Sequence, residues 1–161
     1  MSRLASILLG LYLGITFFMP KEPLFYTAQK YLKSKNNIYL NSKTESSFIK
    51  LTLKDAVLFV DGMDVATLKE CDIYPFLLYN KVEIKNLLFS IDNLKVKNLI
   101  LTYSIVRPTL LDIKGSANFG TIEGSLDLKE RFIKVYVKKA SNRVKRFLRK
   151  DKEGYYYYEK F

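Results

Sequence analysis

The sequence predicts a mainly β protein: an N-terminal transmembrane helix, then a curved antiparallel β-meander sheet, then a basic amphipathic helix near the C-terminus. Three observations support this fold class. Apolar and polar residues alternate over most of residues 48–137, an uncharged apolar run fills residues 4–19, and a basic segment with helical spacing follows residue 137. Side chains alternate between the faces of a strand, whereas on a helix one face recurs about every 3.6 residues.

The clearest strand pattern covers residues 111–137. Short turns at 120–121 and 129–131 divide it into three runs, and in each run small or apolar residues occupy every second position. These positions are Leu111, Ile113, Gly115, Ala117, Phe119, Ile122, Gly124, Leu126, Leu128, Ile133, Val135 and Val137. We therefore expect three antiparallel strands with one apolar face and one polar face.

Weaker alternation extends the sheet upstream. We expect about eight strands in residues 48–137, with turns near Asp61-Gly62 and at Pro75, and a bend at Pro108, because proline is excluded from central strands. Residues 35–47 read as a polar connector with at most one short strand, at 38–40. The Tyr-rich residues 155–161 read as a final edge strand with tyrosine on both faces.

The apolar run at residues 4–19 predicts a membrane anchor. Its sixteen uncharged residues are at the short end for a span, and no pair of small residues near its end suits signal cleavage. We expect an uncleaved signal anchor over residues 1–22, followed by a helix at 23–34 at the membrane surface; a buried core helix is the alternative. The anchoring side chains would be Leu4, Leu8, Leu11, Leu13, Phe17 and Phe18.

Two arguments about orientation conflict. Lysines just after the anchor favour a cytoplasmic C-terminal domain, whereas a first helix at the extreme N-terminus commonly acts as an export signal. We expect a single-pass inner-membrane protein whose C-terminal domain lies in the periplasm.

The composition argues against most catalytic chemistry. The chain has no His and a single Cys, which removes the usual general base, the commonest metal ligand and any disulfide within one chain. Carboxylate pairs remain, at Asp61 with Asp64 and at Glu70 with Asp72, in regions that read as strand and turn. We therefore expect no enzymatic activity, no cofactor and no metal site.

The net charge of +11 is concentrated in residues 129–152, which contain eleven Lys and Arg against two acidic residues, a net of +9. Apolar residues at 140, 144, 147 and 148 predict an amphipathic helix there. No nucleic-acid reading motif accompanies it, so lipid headgroups or an acidic partner are the expected contacts, and a solvated helix is the alternative. The candidate contact residues are Arg143, Lys145, Arg146, Arg149 and Lys150.

The apolar face of the meander has two interpretations. Covered by a helix or a second sheet, it is an ordinary core. If the sheet curls into an open trough, the face would line a groove for acyl chains. The candidate groove residues are Ile113, Gly115, Ala117, Phe119, Ile122, Gly124 and Leu126.

Residues 48–137 resemble AsmA-like envelope proteins and, more narrowly, the N component of type II secretion systems. The resemblance rests on a proline break at residues 74–78, a V-x-I-x-x-L strand at 82–87 and a G-x-x-x-F-G-x-x-x-G-x-x-x-L run at 115–128. It implies an inner-membrane anchor, repetitive amphipathic strands in the periplasm and no enzymatic activity. It suggests a role in secretion-apparatus assembly or lipid handling.

The expected organisation is an anchor (1–22), a juxtamembrane helix and connector (23–47), a β domain (48–137) and a basic helix with a terminal strand (138–161). Our first hypothesis is a non-enzymatic subunit of an envelope-spanning assembly, such as a secretion or flagellar machine. Its partners would be the membrane and other envelope proteins, including copies of itself. The second is a lipid-binding or lipid-transfer module of AsmA-like type, whose ligand would be phospholipid.

Overall fold

The computed structural model describes residues 2–90 and 94–161, and it contains two N-terminal helices followed by one large sheet. The helices are α1 (Ser2–Phe18) and α2 (Lys21–Asn36). Among the described residues ten strands follow: β1 (Ile38–Ser46), β2 (Leu51–Val60), β3 (Met63–Pro75), β4 (Tyr79–Phe89), β5 (Lys95–Ser104), β6 (Leu110–Ala117), β7 (Gly120–Asp127), β8 (Phe132–Lys138), β9 (Arg149–Asp151) and β10 (Gly154–Lys160). A single helical turn, α3 (Asn142–Lys145), separates β8 from β9.

The strands follow one another in the sheet in chain order from β1 to β8, and then β10 and β9. Neighbouring strands are antiparallel throughout, and β1 and β9 are the two edges. Tight turns make this order possible; at Asp61-Gly62 both residues have positive φ, 51° and 79°, as a two-residue hairpin turn requires. The predicted mainly β, antiparallel meander is confirmed.

One face of the sheet carries the core, and we call it the inner face. Its buried side chains include Leu53 and Leu68 near the N-terminal edge and Ile113 and Ile122 farther along the sheet. Helix α2 packs on the first strands of this face through Phe25. The other, outer face carries most of the ion pairs.

A row of irregular pairs crosses β2 to β5. On β2 the inner-face residues change from odd to even positions at Asp55, and on β4 from even to odd at Asn86. Both residues have a left-handed backbone, with φ of 48° and 52°. Register shifts border the row, between β1 and β2 and between β5 and β6. Each strand in the row thus contains one extra residue, which bends it as a β-bulge does. We call this the bulge row.

Several predicted boundaries were wrong. Residues 35–47 are no connector with a strand at 38–40, since β1 extends to Ser46 and joins the sheet. Seven strands, not about eight, lie in residues 48–137 of the described chain. The Tyr-rich strand exists as β10, with tyrosines on both faces; β9 covers its first residues, 154–156, so only residues 157–160 lie at the sheet edge.

The predicted basic amphipathic helix was also wrong. Only Asn142–Lys145 are helical, and Arg149 and Lys150 belong to strand β9. The carboxylate of Asp151 accepts hydrogen bonds from the backbone N–H groups of Glu153 and Gly154, which turns the chain sharply between β9 and β10. This hairpin pairs with β8, and the sheet pairing overrides a weak helical periodicity.

The predicted N-terminal helix is present, but its span is divided. In the described part of the chain no single helix has the length and hydropathy of a membrane span. The pair α1–α2, bent by 67° at its break, meets both criteria only when taken together.

Candidate functional site

The inner face of the sheet is open over its C-terminal half, where it forms a cavity of about 790 Å³. We call this cavity the trough. Its floor comes from β4 and β5 (Leu87, Phe89, Val96, Leu99, Leu101) and from β6 to β8 (Ile113, Ile122, Leu126, Ile133, Val135, Val137). Leu94, Phe119 and Tyr157 complete the walls. Apart from the phenol of Tyr157, these side chains carry no polar group.

Strand register explains why one face is so uniformly apolar. Ile113 lies opposite Gly124, which in turn lies opposite Val135, and the same rows join Leu111 to Leu126 and Ile133. Because the apolar positions of neighbouring strands lie directly opposite each other here, every second residue of β6, β7 and β8 reaches the inner face. The alternation predicted for residues 111–137 is therefore a single continuous surface.

The predicted groove residues divide into two groups. Ile113, Phe119, Ile122 and Leu126 line the trough. The remaining three, Gly115, Ala117 and Gly124, are not among the described residues that line it.

The two glycines serve strand packing. A Cβ on Gly115 would stand 2.6 Å from the carbonyl oxygen of Asn98, and one on Gly124 would stand 2.7 Å from the Cα of Val135. Both contacts are far too short, so these positions permit close approach of neighbouring strands. An enlarged side chain at Gly124 would disturb the sheet before it filled the trough.

The segment after β8 covers one end of the trough. Val144, Phe147 and Leu148 face the cavity, and Val144 is almost fully buried. The backbone N–H of Ser141 donates to the carbonyl of Phe119, which fixes this segment over the β6–β7 turn. The apolar residues whose spacing predicted a long helix thus lie in a short segment that covers the trough.

The N-terminal half of the inner face is closed. Phe25 of α2 packs against the core that contains Leu51, and only a small pocket, also lined by Ala28 and Ile73, remains between α2 and the sheet. The amide of Gln29 donates to the carbonyl oxygen of Leu40 at 2.5 Å and ties α2 to β1. Both interpretations of the apolar face therefore apply, each to one half: a core under α2 and an open trough beyond it.

The trough extends onto strands that the sequence analysis did not include. Leu87, Val96, Leu99 and Leu101 belong to β4 and β5. The sequence does carry a signal for these residues, because the apolar positions of β5 change from even to odd numbers at the bulge row. Val96 is at an even position, whereas Leu99 and Leu101 are at odd ones. A constant apolar phase along β4 and β5 would wrongly assign Leu87, Phe89 and Val96 to the outer face.

The five basic candidate residues do not share one surface. Lys150 pairs with Tyr155 across β9 and β10, whereas Arg149 pairs with Tyr156 on the opposite face. The ammonium groups of Lys145 and Lys150 lie 5.4 and 5.7 Å from the ring centre of Tyr155.

Tyr155 connects this pair to the trough. It lies opposite Val137, a trough residue. Lys145 and Lys150 therefore form a basic pair near the covered end of the trough. Arg146 lies over the ring of Phe147, at 4.7 Å, and Arg143 lies in α3.

The predicted anchor side chains lie on α1 and are exposed. Leu4, Leu8, Leu11, Leu13, Phe17 and Phe18 all face outward from the rest of the protein. The hydroxyl of Tyr12 donates to the carbonyl of Phe76 at 2.8 Å, which attaches α1 to the β3–β4 turn. The alternative of a buried core helix is therefore wrong for α1.

The carboxylates considered for catalysis lie in outer-face ion pairs or at the Asp61-Gly62 turn. Asp72 accepts hydrogen bonds from Lys50 (2.8 Å) and Thr52 (2.6 Å), and Glu70 accepts one from Lys85 (2.5 Å). Burial opposes the charge of Asp72, but these donors outweigh it and lower the pKa of the carboxyl group. No cluster of His, Cys, Asp and Glu suited to a metal occurs in the part of the chain that the structure describes.

Comparisons with protein-family models, with curated proteins and with solved structures found no match for this chain. The resemblance to AsmA-like envelope proteins remains a prediction from the sequence motifs.

Proposed function

We propose that this protein binds the acyl chains of a lipid in the trough. The observation that supports the proposal is a cavity of about 790 Å³ whose described lining residues are all apolar except for the phenol of Tyr157. This volume is in the range of small-molecule sites. Of the two functional hypotheses, the geometry favours lipid binding over a role as an assembly subunit.

The chemistry of the wall selects the ligand. A water molecule in the trough finds almost no hydrogen-bonding partner on the trough wall, so displacing it with hydrocarbon is favourable. Each methylene buried from water contributes about 0.8 kcal/mol. A polar solute would lose its hydrogen bonds to water without compensation, whereas an acyl chain makes no hydrogen bonds to water.

The headgroup would be anionic. Lys145 and Lys150 both lie close to the ring of Tyr155 near the covered end of the trough, and none of the described residues that line the cavity is acidic. Two ammonium groups beside an apolar site favour a phosphate or carboxylate attached to hydrocarbon. Phospholipids and fatty acids share this chemistry.

The cellular setting belongs to the same proposal. The exposed apolar helix α1 would hold the protein at the inner membrane, with the sheet in the periplasm. The protein would bind or transfer lipid without chemical conversion and without a cofactor.

A matched pair of variants tests lipid binding. Leu101→Trp places a large ring in the trough, whereas Leu88→Trp places the same ring on the outer face of the neighbouring strand. We expect Leu101→Trp to lose most binding of a fluorescent fatty acid in detergent solution and Leu88→Trp to retain it. Equal binding by both variants, with normal circular dichroism, would contradict the proposal.

A role in an envelope assembly is the second candidate, and the C-terminal sheet edge favours it. β9 pairs only with residues 154–156 of β10, so residues 157–160 have no strand partner on that side within the described chain. An open edge can accept a strand from another protein. A photoreactive residue at Tyr158 should then crosslink to one defined envelope protein, whereas one at Met63 should not; identical crosslinking at both sites would exclude this edge.

A further inference from the structure

The exposed apolar side chains are concentrated at one end of the sheet. Because the strands alternate in direction, the turns at residues 47–50, 76–78, 105–109 and 128–131 all lie at the same end. We call these four turns the lower rim. The β2–β3 turn, the β6–β7 turn and α3 lie at the opposite end.

Each turn of the lower rim exposes at least one large apolar side chain. Val106 is 85% exposed and Phe48 is 72% exposed. The others include Ile49, Leu78, Ile105 and Leu128. Single exposed apolar residues are ordinary on protein surfaces, but a row of them along one edge indicates an interaction surface for a membrane or another protein.

Helix α1 meets the sheet at this same end. Tyr12 donates its hydrogen bond to Phe76, in the β3–β4 turn of the lower rim. The rim turns contain four basic residues and the acidic residue Glu130. Lys50 and Arg107 form ion pairs with Asp72 and Asp112, so the excess positive charge of the rim rests on Lys129 and Arg131. Apolar tips with basic neighbours fit the interface of an anionic bilayer, where hydrocarbon and phosphate lie within a few ångströms of each other.

We propose that the lower rim inserts its apolar tips into the interface of an anionic lipid bilayer, beside α1. The strands then rise from the membrane, and the covered end of the trough points away from it. Leu126 and Ile133, near the rim ends of β7 and β8, line the trough, so its lower end opens toward the acyl chains. This last consequence rests on the proposed lipid binding; the insertion itself does not.

Environment-sensitive labels on single introduced cysteines test the insertion. Val106→Cys and Phe48→Cys report on the lower rim, and Met63→Cys, at a site 66% exposed, reports on the opposite end. Burial, with the charge of Asp72, raises the pKa of the native Cys71 thiol to about 12, so labelling at neutral pH is confined to the introduced residue. The full chain is reconstituted in phosphatidylcholine–phosphatidylglycerol vesicles with or without lipids that carry a doxyl quencher near the headgroup end of the acyl chain.

We expect blue-shifted emission at the two rim sites and loss of most of it with doxyl lipids, with no change at Met63→Cys. Unquenched labels at the rim would overturn the proposal, as would equal quenching at both ends. A blue shift that doxyl lipids leave unchanged would also overturn it, because the rim would then be covered by protein, such as a second copy of the chain. Since the labels report membrane depth, a chain that binds no fatty acid can still pass this test.

Discussion

The carboxylate of Asp72 is a deeply buried charge on the outer face, with 2% of its side chain exposed. Lys50 and Thr52 donate to one of its oxygens, and the ammonium of Lys85 lies 3.7 Å from the other. These partners lie on β2, β4 and the turn before β2, so the cluster ties three consecutive strands. Replacing the carboxylate with an amide keeps one oxygen acceptor but removes the negative charge that pairs with Lys50 and Lys85.

We expect Asp72→Asn to lower the free energy of unfolding by about 1–3 kcal/mol at neutral pH. The folded pKa lies below the ordinary value of 3.8, so the contribution of the ionised group is complete above that value and is lost as the pH falls through the folded pKa. The difference between wild type and variant should therefore shrink below about pH 4. Urea unfolding followed by circular dichroism measures it.

Asp112→Asn is the control for this prediction, because Asp112 pairs with Arg107 at the exposed rim and should contribute little. A difference between wild type and Asp72→Asn that stays constant down to acid pH would show that charge is not what stabilises the cluster.

At the scale of single elements, the bulge row is the feature that the sequence analysis missed. Val, Leu and Ile alternate on both sides of the row, but the apolar phase shifts by one residue at Asp55 on β2 and at Asn86 on β4. Asp and Asn tolerate the left-handed backbone that a bulge needs better than other non-glycine residues do. An Asp or Asn at the position where the apolar alternation shifts by one residue therefore indicates a bulge.

Asn86 tests this element. We expect Asn86→Val to destabilise the protein by about 1–2 kcal/mol, because a β-branched residue resists φ of 52°. Asn86→Gly should be neutral or stabilising, and Asn80→Val, in the regular part of the same strand, should have little effect. Thermal unfolding of the four proteins gives the comparison, and an Asn86→Val protein as stable as Asn80→Val would contradict the assignment.

The C-terminal element shows where periodicity misleads. Four apolar residues at helical spacing predicted a helix, yet three of them, Val144, Phe147 and Leu148, belong to a segment that covers a cavity. The choice depends on β10 pairing with β8, a contact between residues some twenty positions apart, which no local pattern encodes.

The register of that hairpin places Lys150 near the trough and Arg149 on the outer face. We expect the double change Lys145→Glu and Lys150→Glu to abolish any preference for phosphatidylglycerol over phosphatidylcholine. Arg149→Glu reverses one charge next to Lys150, half of the change in net charge of the double variant, and should preserve the preference. Mass spectrometry of lipids extracted from the purified proteins measures the ratio, and raising the salt concentration should mimic the double change. A loss of preference in Arg149→Glu alone would mean that overall charge, and not this pair, selects the headgroup.

At the scale of the whole molecule, the meander of residues 111–137 was predictable because strand alternation there is nearly unbroken. What covers the inner face was not predictable. Helix α2 closes the half that contains Leu51 and Ile73, while the C-terminal half stays open. That division depends on how far a sixteen-residue helix reaches across a ten-stranded sheet, and this is a property of the assembled fold.

The central claim is that the trough holds lipid hydrocarbon, and photocrosslinking from inside it is the most direct test. Leu99 lines the trough in the middle of β5, and its neighbour Asn98 faces outward. A photoreactive amino acid is placed at either position in the full chain, in its native membrane, and adducts are identified by mass. We predict a lipid adduct at residue 99 and none at residue 98. Adducts from residue 99 only to other parts of the same chain, or equal lipid adducts at both positions, would contradict the account.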